Sequence, residues 1–163
     1  MKKTIGAIVL LIIVCTIEIA LAQTPGYTGN WIRNDDQTDA GGLSINTVAA
    51  KLEISKDAKS LYIKATLKNA AGTLRTAVDT LNLDGSKTVL FTSSKNKKQS
   101  GLSWSDDQKK FISVVSINDS QGTILQEWKQ AFALSNDSKT LTVLVDLTNN
   151  RDVYHLKEVF DKQ

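Results

Sequence analysis

The alternation of apolar and polar residues constrains the fold of this chain more than any other feature. Within 48–54 the apolar side chains fall at even positions, within 61–67 they fall at odd positions, and 141–147 repeats the pattern. A period of two with one polar face is typical of half-buried strands in an antiparallel sheet. No segment keeps a helical period, so the sequence predicts an all-β fold.

The alternating stretches follow one another as a series of hairpins. Their links are short and rich in Asp, Asn, Ser and Gly, apart from longer connections at 35–46 and 94–99. Consecutive hairpins leave two edge strands, and closing the sheet removes both, so we predict a single antiparallel up-and-down β-barrel. A change of parity near Asp79 predicts a β-bulge there. The ten predicted strands are 28–34, 47–55, 60–69, 73–83, 87–93, 100–105, 109–118, 123–134, 139–148 and 151–161.

The segment 1–22 has the three parts of a secretory signal peptide. Two lysines precede an apolar run over 5–17, and small residues end the segment at Ala22. Cys15 lies inside the apolar run and not at the cleavage point, so a lipid-anchored protein is not expected. We predict cleavage after Ala22, one barrel domain over 23–163, and a secreted or periplasmic location.

The composition that remains after cleavage excludes several function classes. The net charge falls from +3 to +2, because two lysines and one glutamate leave with the leader; bulk charge therefore does not favour nucleic-acid binding. The only cysteine leaves as well, which excludes disulfides and thiolate chemistry. No later segment is long and apolar enough to span a bilayer, so we expect no stable membrane insertion of the mature chain. We also expect the protein to be a monomer.

The two ends of the predicted barrel resemble a known superfamily. Gly29-Asn30-Trp31 opens the first strand, and Val159-Phe160-Asp161-Lys162 ends the last. A G-x-W start and an aromatic-acid-Lys end around a meander resemble the calycins, which include lipocalins and fatty-acid-binding proteins. The chain looks most similar to exported bacterial lipocalin-like proteins over 28–163. The resemblance implies an apolar cavity that binds a small hydrophobic molecule, with Gly29 and Trp31 as a structural signature.

The resemblance also implies a role for Trp31 and points to a departure. Trp31 would close one barrel end beneath a basic side chain, for which Arg151 and Lys157 are candidates. Fatty-acid-binding proteins hold the ligand carboxylate with an Arg and a Tyr on the last strand, and the matching positions here are Glu158 and Phe160. A glutamate would repel a carboxylate, so a fatty acid held in that way is not expected.

Strand parity selects the residues that would face the ligand. Ten strands are wide enough to keep a cavity, and a filled interior is the alternative. If Trp128 and Phe132 point inward, Gln126 and Gln130 do so too and need polar partners; the pattern leaves both orientations open. The candidate ligand-binding residues are Ile54, Ile63, Ala65, Leu67, Trp128, Phe132, Val143 and Glu158.

The connection 35–46 is predicted to lie at the cavity mouth. It is too short, polar and glycine-rich for a lid of two packed helices. Its three aspartates are typical of a solvated loop rather than of a calcium site, because the EF-hand spacing is absent. Lys95, Lys97 and Lys98 fall at the same barrel end, so a salt-sensitive latch between the two loops is a hypothesis, although exposed ion pairs contribute little.

The chemistry-bearing residues favour binding over catalysis. His155 is the lone histidine, and one histidine on a strand is more typical of a structural or exposed residue than of a haem ligand. We predict no catalytic residue, no metal site and no cofactor. The predicted function is non-catalytic binding or carriage of a small hydrophobic molecule; the alternative is an interaction protein with a filled barrel that binds protein or glycan through its loops or outer wall. An enzyme using His155 and Glu158 ranks last.

Overall fold

The computed structural model describes residues 26–106, 109–149 and 152–163, so the predicted leader at 1–22 lies outside the described residues. A 3₁₀ turn at Ile45–Thr47 is the one helical element in these ranges, and no helix there is long and apolar enough to cross a bilayer. The strands are β1 (Gly29–Arg33), β2 (Lys51–Lys56), β3 (Ser60–Lys68), β4 (Leu74–Asn82), β5 (Thr88–Phe91), β6 (Lys97–Trp104), β7 (Lys110–Asn118), β8 (Ile124–Leu134), β9 (Thr140–Asn149) and β10 (Asp152–Lys162).

The ten strands form one antiparallel sheet in the order β4-β3-β2-β1-β10-β9-β8-β7-β6-β5. Apart from β4 and β5, each strand pairs with its neighbours in the chain, and the β1–β10 ladder joins the first strand to the last. The sheet curls until its edges β4 and β5 lie close together, but these two described strands share no hydrogen-bonded ladder. The prediction of an all-β, ten-stranded barrel is confirmed, with closure that is nearly complete rather than full.

Two strand boundaries differ from the prediction by three residues or more, and a local turn accounts for each. The second strand begins at Lys51, since the 3₁₀ turn occupies Ile45–Thr47 and is capped by the Ser44 hydroxyl. The sixth strand begins at Lys97 because 92–96 closes a tight hairpin, in which the Thr92 amide donates to the Asn96 carbonyl at 2.9 Å. The link predicted at 94–99 is therefore a short turn.

The bulge predicted near Asp79 is wrong. The β3–β4 register runs without a shift along the whole of β4. The inward positions of β4 are Ala77, Asp79 and Leu81, so the parity of its apolar residues changes because one inward position is polar. The register shift in this sheet lies instead in the β7–β8 pair, at Asn118.

An aromatic cluster fills one end of the barrel. Tyr27 is fully buried, and its hydroxyl donates to the Lys109 carbonyl at 2.6 Å and lies 3.1 Å from the Phe132 carbonyl. Phe111 stacks on Phe132 with ring centroids 4.3 Å apart, and Trp104 packs edge-on against Phe111. Aromatic pairs of this kind stabilise a core beyond the area they bury.

Trp31 completes this closed end, and the basic side chain over its ring is Lys162 rather than the predicted candidate Lys157. Its indole N–H donates to the Tyr27 carbonyl at 2.9 Å, and the ring is fully buried. The Nζ atom of Lys162 lies 5.0 Å from the ring centroid, because Lys162 stands directly opposite Trp31 in the β1–β10 ladder. Lys157 is exposed, and Arg151 lies outside the described residues.

Candidate ligand-binding cavity

The barrel encloses a cavity of about 420 Å³ on the other side of Phe132 from the aromatic cluster. This volume lies within the range of about 300–1,000 Å³ typical of small-molecule sites. The interior is therefore not filled along its length. Most of the lining side chains are apolar. They are Thr47, Ala49, Leu52, Ile63, Ala65, Leu67, Ala77, Asp79, Thr92, Lys98, Val115, Ile117, Trp128, Gln130, Phe132, Val143 and Glu158.

The structure brings most of the sequence-selected candidates together around this space. Ile54 is the exception: it pairs with Gly29 toward the closed end, and it is buried in the core rather than at the cavity wall. Contact between these residues and a ligand stays a prediction. The candidates that line the cavity are Ile63, Ala65, Leu67, Trp128, Phe132, Val143 and Glu158.

Trp128 and Phe132 point inward, which resolves the orientation that the sequence left open. Gln130 faces inward between them, and its amide oxygen accepts a hydrogen bond from the Ser113 hydroxyl at 3.1 Å. Ser113 is buried on the neighbouring strand β7, directly opposite Gln130. The amide oxygen is thus satisfied within the wall, and the amide nitrogen has no acceptor among the described residues.

Glu158 is the buried acid of the cavity. Only 8% of the residue is exposed, and no described residue forms a hydrogen bond with its carboxyl group. Burial raises the pKa of this carboxyl from an ordinary 4.5 to about 7, and the positive charge of Arg33 opposes part of the rise. Glu158 is therefore partly protonated near neutral pH, unlike a surface glutamate.

Arg33 lies near Glu158, but its described hydrogen bonds and ion pair are with other groups. Its Nη1 atom donates to the carbonyls of Ile45 and Val48 at 2.9 and 3.0 Å, and its Nε atom lies 2.5 Å from the Asp35 carboxylate. These are the hydrogen bonds that the structure describes for Arg33, and none of them reaches Glu158, so Arg33 acts on Glu158 through its charge.

Asp79 and Lys98 are the site residues that the sequence interpretation missed as a pair. The Nζ atom of Lys98 lies 2.5 Å from Asp79 Oδ1, and each side chain is 22% exposed. The edges β4 and β5 meet without a ladder, and this junction is called the seam below. The ion pair joins β6 to β4 across the seam. The odd parity of Leu81, continued along β4 without the predicted bulge, places Asp79 inward.

The hypothesis of a latch between the loop 35–46 and the three lysines is not supported by the ion pairs of the described residues. Lys98 pairs with Asp79 in β4, whereas Asp35 pairs with Arg33. Within the described ranges, no ion pair joins that loop to Lys95 or Lys97. Of the three lysines, Lys98 therefore forms its ion pair with a strand of the sheet rather than with the loop 35–46.

Residues 34–50 form a strap beside the cavity, and two of them, Thr47 and Ala49, line it. The amide of Asp39 in this strap donates to the Lys157 carbonyl at 2.8 Å, and the Lys157 amide donates back at 2.9 Å. Gly41 follows with a φ of 60°, and a side chain there would overlap the carbonyl oxygen of His155. The strap contains no α-helix, in agreement with the expectation that it is too short for a helical lid.

His155 lies outside the cavity. Its side chain is 77% exposed, and its Nδ1 atom lies 2.8 Å from the Asp146 carboxylate on the adjacent strand. It therefore does not face any molecule held in the barrel. In the part of the chain that the structure describes, no three His, Cys, Asp or Glu side chains are grouped to hold a metal ion.

Comparisons with known proteins include a likeness of fold to a solved structure. No protein-family model matches the sequence, and no curated protein matches it. Among solved structures, the chain is similar to zebrafish ileal bile acid-binding protein complexed with cholic acid, with a TM-score of 0.49 and 11% identity. The likeness covers 85% of this chain and 99% of that one.

Proposed function

We propose that this chain is an exported, non-catalytic carrier that binds a small hydrophobic molecule inside its barrel. The observation that carries the proposal is the cavity of about 420 Å³ with a mainly apolar lining. Burial of apolar surface contributes about 25 cal/mol per Å², so a molecule that fills such a space gains affinity mainly by leaving water. The few polar groups in the wall, Glu158 and Gln130 among them, would orient it.

The placement of the acid and the histidine supports binding over catalysis. Glu158 faces the cavity, whereas His155 is exposed on the outer face of the same strand. The two groups therefore cannot act together on one bound molecule. An enzyme would need another pair of positioned groups, and the cavity wall offers mainly alkyl and aromatic side chains.

The exported location in this proposal rests on the leader-like segment 1–22. N-terminal sequencing of the protein purified from its own host tests it, and we expect Gln23 as the first residue. A protein that keeps Met1 would overturn this part of the proposal and leave the cavity proposal intact.

Dye binding to the chain 23–163 tests the carrier function. We expect the neutral apolar dye Nile red to bind, and Ala65→Phe to weaken this binding about tenfold or more, because the new ring occupies the cavity. Thr66→Phe is the matched control, since this side chain points to the opposite face of β3, and it should retain the affinity. Equal affinities of the two variants would refute binding in the barrel.

Native mass spectrometry of the gently purified protein would identify the natural ligand. A reproducible mass excess that is lost on solvent extraction supports the carrier, and its fragment ions give the ligand class. A bare mass combined with no dye uptake would contradict it.

A second candidate function is protein or glycan binding through the outer wall. The edge strands favour it, because β4 exposes Leu74 and Val78 and β5 exposes Val89 and Phe91, of which Phe91 is 74% exposed. Apolar groups grouped on a surface are typical of interaction sites. Loss of partner capture after Phe91→Ser, with dye binding retained, would support this function.

A further inference from the structure

The charges in the cavity do not balance. Asp79 and Lys98 pair with each other, which leaves Glu158 as the lining carboxyl group with no partner of its own among the described residues. An ionised group that is buried without a partner is strongly unfavourable, because it loses its hydration without gaining an opposite charge. The side chains that line the cavity therefore carry an excess negative charge whenever Glu158 is ionised.

We propose that the ligand is an apolar molecule with one protonated amine, and that Glu158 binds this amine as an ion pair. The inference deepens the proposed carrier function and rests on it. The amine supplies both the opposite charge and the N–H donors that the buried carboxylate lacks. The rest of the molecule would lie against the apolar wall formed by residues such as Leu67 and Trp128.

Other head groups fit this wall less well. A carboxylate would meet the negative charge of Glu158, and the lysine that could attract it is already paired with Asp79 at 2.5 Å. A neutral alcohol would leave an ionised Glu158 without a countercharge, so it would bind with the carboxyl protonated. The three head groups are therefore distinguished by their dependence on pH.

The direction of this dependence follows from the groups around Glu158. The charge of Arg33, on β1, acts on Glu158. Asp79 on β4 and Lys98 on β6 are the other charged groups that line the cavity. The pKa of Glu158 is about 7 without ligand, and an alkylamine stays protonated below about pH 9. Amine affinity should rise as the pH increases from 5 to 8, and binding near pH 7 should release a proton.

Competition among three ligands of equal chain length tests the proposal. Decylamine, decanol and decanoic acid are each titrated against bound Nile red on the chain 23–163 at pH 5 and pH 8. At pH 8 we expect decylamine to displace the dye at about one-tenth of the concentration that the other two need, and this preference should shrink at pH 5. In Glu158→Gln the ratio of amine to alcohol affinity should fall to about one, while Glu127→Gln, on the outer face, retains it.

The outcomes separate this inference from the proposed function. Nile red binding with a preference for decanol or decanoic acid at pH 8 would overturn the amine and leave the carrier standing. Failure of Nile red to bind the unchanged chain would overturn both. If Glu158→Gln does not fold, the unchanged chain decides, and an amine preference that is the same at pH 5 and pH 8 overturns the proposal.

Discussion

The Lys98 ammonium group lies 2.5 Å from the Asp79 carboxylate, and this ion pair joins β6 to β4 across the seam where β4 and β5 share no ladder. Lys98 Nζ also lies 3.4 Å from the Val78 carbonyl. Elsewhere in the barrel, backbone hydrogen bonds join each strand to the next. The Asp79–Lys98 ion pair lies at the one junction of described strands where such bonds are missing. Both residues also line the cavity, so we expect loss of the pair to affect both the stability of the barrel and ligand exchange.

Breaking this pair should loosen the seam. Asp79→Asn and Lys98→Gln are each expected to lower the free energy of unfolding by about 1–2 kcal/mol, more than an exposed pair would, because one half-buried charge is left without its partner. Urea unfolding of both single variants and the double variant measures the coupling, and the double variant should lose less than the sum of the two.

The same variants should exchange ligand faster. We expect Nile red to dissociate more quickly from Lys98→Gln in stopped-flow experiments at low salt, and the difference from the unchanged chain to narrow as salt screens the pair. Lys97→Gln is the control on the neighbouring, outward position of β6. Strictly additive losses of stability, together with unchanged dissociation, would show that the pair is incidental to the seam.

The free energy of unfolding should depend on pH through Glu158. Burial raises the pKa of its carboxyl from 4.5 to about 7 in the folded chain, so the folded state keeps a proton that the unfolded state releases. The resulting stability is complete below about pH 4.5 and is lost as the pH rises through about 7, a change of about 3 kcal/mol.

Comparison with Glu158→Gln isolates this contribution, since other carboxyl groups titrate equally in both chains. In ligand-free protein, the difference in unfolding free energy between the variant and the unchanged chain should grow in favour of the variant between pH 5 and pH 8. Parallel pH profiles for the two chains would show that the carboxyl group is not desolvated as the structure indicates.

Removal of the Tyr27 hydroxyl should destabilise the closed end and leave the cavity unaffected. This hydroxyl lies 2.6 and 3.1 Å from two backbone carbonyls in the interior, so Tyr27→Phe should lower the free energy of unfolding by about 1–2 kcal/mol. Tyr62→Phe is the control, because its hydroxyl bonds Asp57 at the surface, and its loss should be smaller. Nile red affinity should be unchanged in both variants. A weakened affinity in Tyr27→Phe would show that the aromatic closed end and the cavity are not independent.

Sequence alternation could predict the strands and much of the cavity wall because the period of two is local. Ile63, Ala65 and Leu67 follow from one strand, with no knowledge of its neighbours. The partners of charged residues are a different kind of fact. Lys98 meets Asp79 only because the curl of the whole sheet brings β6 beside β4, and no period in the sequence records that curl.

The partner of Trp31 was missed for a related reason. Lys162 lies in the aromatic-acid-Lys ending of the last strand, yet its position over the ring depends on the register of β1 against β10, which are at opposite ends of the chain. Register between distant strands is fixed by packing over the whole sheet rather than by neighbouring residues. The proposal of an amine ligand rests on the environment of Glu158, which the sequence marks only as an inward acid.

Gly41 should control how firmly the strap 34–50 is held. Its φ of 60° is accessible to glycine, and a side chain would overlap the His155 carbonyl beside the Asp39–Lys157 bridge. Gly41→Ala should therefore push the strap away from β10, lower the free energy of unfolding and speed the release of Nile red. Hydrogen exchange of the Lys157 amide, which donates to the Asp39 carbonyl at 2.9 Å, should accelerate as this bond opens.

Gly42→Ala separates the contact from the backbone strain. Gly42 also has a positive φ, 83°, but a side chain there meets no atom within 4 Å. Both variants carry the strain of a left-handed alanine, about 1 kcal/mol, and only Gly41→Ala carries the overlap. We therefore expect a larger loss of stability and faster Lys157 exchange in Gly41→Ala than in Gly42→Ala. Equal effects would mean that the strap is not held through its contact with β10, and that access to the cavity is controlled elsewhere.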